Sequence, residues 1–408
     1  MLIQTLGLGD YGKPISVAAN SALSSLVLRR LVNVFGYPVC RASVLQKFVK
    51  YSTLLPEARN LLQLQHKLIA HFLSMTTVMT YSESPTQPVS SSSSASSEAY
   101  SSQSDGVTRL LDHVATLPAI AVAVAHPCDE TSLASALDAH KRGLIEPILI
   151  APRSKLQSVA DEHELDISTI TIEDVPHSHA AAVRAVELAA TGKVEALMKG
   201  SLHTDELMGE VVAGRSGLRT KHRVSHCFIL QTRHYPRPFI VTDAAINLAP
   251  NLLQKADIVR NAIALAHTIG VDEPKVAILA AVETVSPTMP ATLDAAALCK
   301  MADRGQITGA LLDGPLAFDN AVSLDAAHTK GIHSAVAGQA DILVVPDLES
   351  GNMLAKQLMY MGEASSAGIV MGAKVPIVLT SRADSHLSRI ASCAIAVMLA
   401  HRYRQDPP

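Results

Sequence analysis

The chain has no tryptophan, and phenylalanine and tyrosine together supply only 3% of its 408 residues. Its apolar fraction of 48% is therefore made mainly of Ala, Val, Leu and Ile, small side chains that suit helices packed closely on a parallel sheet. Charge of one sign is also lacking. With 34 Lys and Arg against 37 Asp and Glu the net charge is −3, which excludes the broad basic face of a nucleic-acid-binding protein. Five cysteines, at positions 40, 128, 227, 299 and 393, form neither a CxxC pair nor a zinc spacing. They read as small buried hydrophobes in a reduced, cytoplasmic protein. No uninterrupted apolar stretch reaches the length of a bilayer span, so no membrane partner is expected. Also missing are a GxGxxG after the first strand pattern, a GxxxxGK followed by Ser or Thr as in phosphate-binding loops, and HExxH. An ordinary dinucleotide site, a P-loop and a helical zinc site thus have no support. The 17 histidines show no ligand spacing, so no metal and no tightly bound cofactor is expected.

What is present divides near residue 105. Residues 1–80 are mildly basic, almost free of acids between Asp10 and Glu57, and only fragmentarily periodic. Residues 81–105 are serine-rich and bury too little apolar surface to order themselves. The leader reads as a disordered extension, as the product of a start placed upstream of Met75 or Met79, or as a transit peptide. From Gly106 onward strands and helices alternate. Strands are expected at 119–125, 147–151, 195–198, 239–242, 275–279, 309–312, 341–345 and 375–379, and helices at 131–143, 177–191, 252–270 and 292–304. Such alternation predicts an α/β architecture with a mostly parallel sheet and ligands at the strands' carboxyl ends.

Two strand-loop-helix units near the C-terminus are the most informative. Loops of this kind point free backbone N–H groups and the positive end of a helix beyond the strand. The first, residues 346–353, offers Gly351 and Asn352 for close backbone approach. The second, residues 380–385, offers the Ser381 hydroxyl, the Arg382 guanidinium and the Asp384 carboxylate. Together they read as a site for an anionic, phosphate-bearing ligand. Taken alone, the second loop reads better as a helix entry with Ser385 as N-cap and Arg382 on the surface.

From Gly106 to the end the chain resembles the phosphate acetyltransferase/phosphate butyryltransferase family. It is most similar to the butyryltransferase-like branch, including the transferase half of bifunctional enoyl-CoA hydratase/phosphate acetyltransferases. Besides the two loops, the resemblance rests on Leu197-Met-Lys-Gly-Ser-Leu-His-Thr204, Gly217-Leu-Arg-Thr220, Val241-Thr-Asp-Ala-Ala-Ile-Asn-Leu-Ala-Pro250, Asp294-Ala-Ala-Ala-Leu298 and Asp313-Gly-Pro-Leu-Ala-Phe-Asp-Asn320, in that order. It implies two α/β domains facing a cleft, in the fold shared with isocitrate and isopropylmalate dehydrogenases. Residues 106–230 with 372–408 would form the first domain and 231–371 the second. It also implies a homodimer or larger assembly, and an acyltransferase that interconverts acyl-CoA plus phosphate with acyl phosphate plus CoA.

That chemistry needs a thiol deprotonated, a carbonyl oxygen held as charge develops on it, and phosphate gripped. By resemblance Arg382 binds phosphate and Ser381 the reacting carbonyl region. The general base is open. Acetyltransferase relatives carry an Asp where an ungapped match places Ser388 here, leaving Asp384, or Asp319 reaching across the cleft. Lys199 beside Gly200 can reach a phosphate, and Asp319 and Asn320 follow the expected Gly314-Pro315 turn. The family's arginine after this first segment is absent, since Met208 and Gly209 stand there. Arg219 is the better substitute, ahead of Arg215. These departures keep open a non-catalytic acyl-CoA-binding module of the same fold. A dehydrogenase of that fold would require an aspartate cluster and a Tyr-Lys pair, which the sequence does not show.

Overall fold

The structure, a computed structural model, describes residues 106–380 and 384–408. The leader, its serine-rich run, Ser381 and Arg382 lie outside the described residues. The elements in chain order are α1 (Gly106–Val114), β1 (Ile120–Ala125), α2 (Glu130–Lys141), β2 (Ile145–Ala151), α3 (Arg153–Glu162), β3 (Thr171–Asp174), α4 (Ser178–Ala190), β4 (Ala196–Lys199) and α5 (Thr204–Val212). They continue with β5 (Ser225–Gln231), β6 (Phe239–Thr242), α6 (Leu252–Thr268), β7 (Lys275–Leu279), α7 (Pro290–Asp303), β8 (Leu311–Leu316), α8 (Phe318–Val322) and α9 (Leu324–Thr329). The last are β9 (Ile342–Val344), α10 (Leu348–Tyr360), β10 (Ser365–Met371), β11 (Ile377–Val378) and α11 (His386–Tyr403).

The eleven strands of the described residues belong to one sheet, in the order β3-β2-β1-β4-β11-β10-β5-β6-β9-β7-β8. The first five are mutually parallel, and so are the last four. Between them β10 and β5 run antiparallel to each other and to their outer neighbours. Three antiparallel steps reverse the sense of the sheet. The two parallel sets therefore point in opposite directions, and their carboxyl ends leave opposite edges. The expectation of a mostly parallel sheet holds for each set but misses this central pair.

β6 and β7 fall where the alternation predicts them. β8 departs: it runs through Gly314 and Pro315, which the sequence presents as a turn. Proline is tolerated because β8 is an edge strand with one unpaired side. Gly314 is required because a Cβ there would lie 2.7 Å from the Ile278 carbonyl oxygen.

The scarcity of large side chains shows in the packing. Ala181, Ala182, Ala185 and Ala189 supply four of the six buried residues of α4, which lets that helix lie close to the β1 side of the sheet. In α11 every residue from Ser388 to Ala400 is buried. A helix apolar on all sides belongs in an interior, and α11 packs against β10, α1, α2 and α6. Each fully buried Leu or Ile in these layers stabilises the fold by about 1.5–3 kcal/mol.

Candidate active site

At the first edge β1 ends in Ala125, and His126 turns the chain with a φ of 53°. From the adjacent β4, Gly200 and Ser201 fold back over that turn. Gly200 N–H donates to the Ala125 carbonyl at 2.9 Å and Ser201 N–H to the His126 carbonyl at 2.8 Å. A Cβ at position 200 would stand 2.5 Å from both carbonyl oxygens, so only glycine permits the approach. Ser201 Oγ lies 2.8 Å from the His126 carbonyl, 3.0 Å from His126 Nδ1 and 3.2 Å from the Cys128 amide. Lys199 Nζ donates to the Gly200 and Leu202 carbonyls at 3.0 and 3.1 Å, which turns its ammonium onto its own loop. Burial first, then the nearby Lys155 ammonium, lowers the pKa of His126. Burial pushes the Cys128 thiol up to about 11, so it remains protonated.

β11 is the next strand over, parallel to β4. The second loop therefore leaves the sheet at the same edge as Lys199, Ser201 and His126. Asp384 is half-buried. Ser385 caps α11, its Oγ accepting from the Ser388 amide at 3.1 Å, as the helix-entry reading expects. Ser388 is buried with its hydroxyl 2.9 Å from Ser385 Oγ and 3.0 Å from Ser366 Oγ. It ties the start of the helix to β10.

The opposite edge holds a different set. Past β6 the buried Asp243 carboxylate accepts N–H bonds from Ala245, Ile246 and Asn247 at 2.9, 3.0 and 3.2 Å, and from Asn247 Nδ2 at 2.6 Å. Burial raises its pKa against those donors. At the start of α10, Asp347 Oδ1 accepts from the Ser350 amide at 2.8 Å, so the helix terminus in the first loop is capped by its own carboxylate. Gly351 lets α10 approach the β6 turn, since a Cβ would be 2.7 Å from the Asp243 carbonyl. Asn352 Nδ2 donates to the Ala244 carbonyl at 3.0 Å. Both residues thus pack the loop onto its neighbour. Asp319 faces Lys330 at 3.6 Å, and Lys330 also meets Glu283 at 3.2 Å. The buried Asn320 donates to Glu283 at 3.4 Å. Arg219 is exposed and bridges Ala373 just past β10.

The fold thus groups Lys199 with the strand leading to Ser381 and Arg382. It places Gly351, Asn352, Asp319, Asn320 and Arg219 on the other edge. His126 and Asp243 are the additions that the sequence reading passed over, although Asp243 lies inside a segment quoted for the resemblance. A cavity of about 620 Å³ between α1, α6, α11, β5 and β10 is lined by none of these residues.

Fold and edge geometry define an α/β protein, a class whose ligands commonly bind at strand carboxyl ends. The profile of the phosphate acetyl/butaryl transferase family matches residues 176–397. A phosphate acetyltransferase of Rhizobium meliloti is 60% identical over 290 residues, covering 71% of this chain and 92% of that protein. A phosphate butyryltransferase of Clostridium acetobutylicum is 44% identical over 281 residues, covering 69% and 93%. The crystal structure of a branched-chain phosphotransacylase from Enterococcus faecalis V583 aligns with a TM-score of 0.61 at 32% identity, over 69% of this chain and 99% of that one. The chain belongs to the phosphate acetyl/butyryltransferase family.

Proposed function

We propose that this protein is a phosphate acyltransferase of the acetyl or butyryl class. It interconverts acyl-CoA plus phosphate with acyl phosphate plus CoA. The observation that carries this is family membership at 60% and 44% identity to an acetyltransferase and a butyryltransferase along most of their lengths. Arg382 grips phosphate through paired N–H donors, and Ser381 holds the reacting carbonyl. Lys199 adds positive charge at the same sheet edge, and Asp384 lines the loop. Arg219, Asp319, Asn320, Gly351 and Asn352 form the second set, which bears on the longer part of the coenzyme. CoA enters as a substrate, with no tightly bound cofactor.

The same reading divides residues 106–230 with 372–408 from residues 231–371 as two domains of the isocitrate dehydrogenase-like fold. The boundaries at the ends of β5 and β10, where the sheet changes sense, support it. A homodimer in the cytoplasm completes the proposal. In its favour, the described cysteines are free, symmetric dimers are the commonest assembly, and no described helix is long and apolar enough to cross a membrane.

The test is direct. Purified protein given acetyl-, propionyl- or butyryl-CoA with phosphate releases free thiol, read with a disulfide reagent. No phosphate-dependent thiol release from any of the three sinks the assignment.

A further inference from the structure

The cavity between α1, α6, α11, β5 and β10 has a polar end and an apolar body. At the end of the sheet where β5 finishes and β6, β9 and β10 begin, its wall carries Gln231, Arg237, Asp341 and Ser365. Much of the remaining wall is apolar: Leu110 of α1, Ile229 of β5, Ile269 and Val271 past α6, and Ala391 and Met398 of α11. Its volume of about 620 Å³ lies within the range of about 300–1,000 Å³ that small-molecule sites occupy. Packed interiors keep few voids larger than a water molecule, so a recess of this size against the core is no packing defect.

The polar end is incompletely satisfied. Arg237 Nη1 lies 3.3 Å from Asp341 Oδ1, and the Tyr235 hydroxyl adjoins the same guanidinium. Asp341 Oδ2 accepts from the Lys275 amide at 2.9 Å. Arg237 Nε is shielded from solvent and meets no hydrogen-bond partner among the described residues. A buried donor in that state is destabilising, and an acceptor carried in by a ligand would remove the penalty. A guanidinium pairs best with carboxylate or phosphate oxygens. Asp341 decides between them, because its charge beside the arginine repels a phosphate dianion more than a singly charged carboxylate. The apolar walls then call for a hydrocarbon chain behind the head.

We propose that this cavity binds a medium-chain carboxylate, its head on Arg237 Nε and its alkyl chain along Ile229, Val271 and Met398. None of the residues assigned to acyl transfer lines the cavity, so the site goes beyond that reading and does not rest on it.

Calorimetric titration of the full chain with sodium octanoate is the experiment. Octanoate should bind saturably, one per chain. Acetate has the head without the chain, and octylammonium has the chain with the opposite charge. Both should bind at least about tenfold more weakly. Arg237→Gln keeps a donor but loses the charge and the planar fork, and should weaken octanoate about tenfold or more. Val271→Trp, at a half-buried position past the end of α6, puts an indole into the cavity and should abolish binding. Melting temperatures near that of the wild type check that both variants fold. Should either fail that check, the Met398 methyl resonance of wild type labelled with ¹³C-methionine gives an independent reading. It should shift with octanoate and stay in place with octylammonium. No saturable octanoate binding, equal binding of octanoate and octylammonium, unchanged affinity in both variants, or a Met398 resonance unmoved by saturating octanoate overturns the proposal.

Discussion

His226, on β5 beside Val370 of β10, makes the fold's stability depend on pH in a calculable way. The side chain is 0% exposed, and neither ring nitrogen has a hydrogen-bond partner. Its ring meets the edge of Phe228 at 4.3 Å and faces Gly368, where a Cβ would stand 3.0 Å from Nε2. Burial lowers its pKa from 6.5 to about 4. The folded state therefore holds the imidazole neutral while the unfolded chain protonates it, and between those values the unfolded state binds more protons. Stability must rise with pH through that window and be lost as pH falls from about 6.5 toward about 4. At about 1.4 kcal/mol per tenfold, the full window amounts to about 3 kcal/mol, of which about 2.5 is already lost at about pH 4.5. The perturbation is His226→Leu, similar in volume and without a titrating group. The assay is urea unfolding of both proteins at pH values from about 4.5 to about 7.5, chosen to span the window. The wild type should lose stability faster on acidification, the gap between the two widening by about 2.5 kcal/mol. Parallel curves would show that His226 titrates in the fold as it does in the unfolded chain, and the reasoning from burial would fail.

Two further outcomes are expected. Arg382→Lys retains the charge but loses the planar fork that matches phosphate oxygens, so kcat/KM for phosphate should fall about ten- to a hundredfold while CoA affinity and melting temperature hardly change. Unchanged phosphate kinetics would remove Arg382 from the site. Gly200→Ala forces a Cβ to within 2.5 Å of two carbonyl oxygens and should cost about 1–3 kcal/mol in thermal unfolding. A variant of wild-type stability would mean that the β1 and β4 turns yield without strain.

What was legible in the chain followed local periodicity. β6 and β7 stand where their apolar runs place them, and Ser385 caps its helix as its position suggests. β5 and β10 escaped because serine- and glycine-bearing strands such as Ser365–Met371 show no two-residue alternation when both faces are covered. Their antiparallel sense is a property of pairing and is not written in either strand alone. The candidate site divides in the same way. Lys199, Gly200 and Ser201 sit together in one readable segment, whereas His126 is one histidine among 17. It meets Ser201 only because β1 and β4 pair, which brings together residues 75 positions apart. Gly351 and Asn352 were recognised as residues of close approach, but the partner is the chain's own β6 turn. Internal packing and ligand contact demand the same residue types there.

The central ladder also governs how the molecule can move. β5 and β10 are matched residue for residue from Ser365↔Gln231 to Met371↔Ser225, so within the sheet the two parallel sets are coupled through a hydrogen-bonded ribbon instead of a loose linker. Spreading them apart is then a torsion shared among seven residue pairs of β5 and β10, with the two-pair step from β10 to β11 as the narrowest link. Such a ribbon behaves as a stiff spring: it stores small angular displacements elastically and restores them without breaking a bond. A substitution within it should alter the stiffness of that motion before it alters any contact with a ligand.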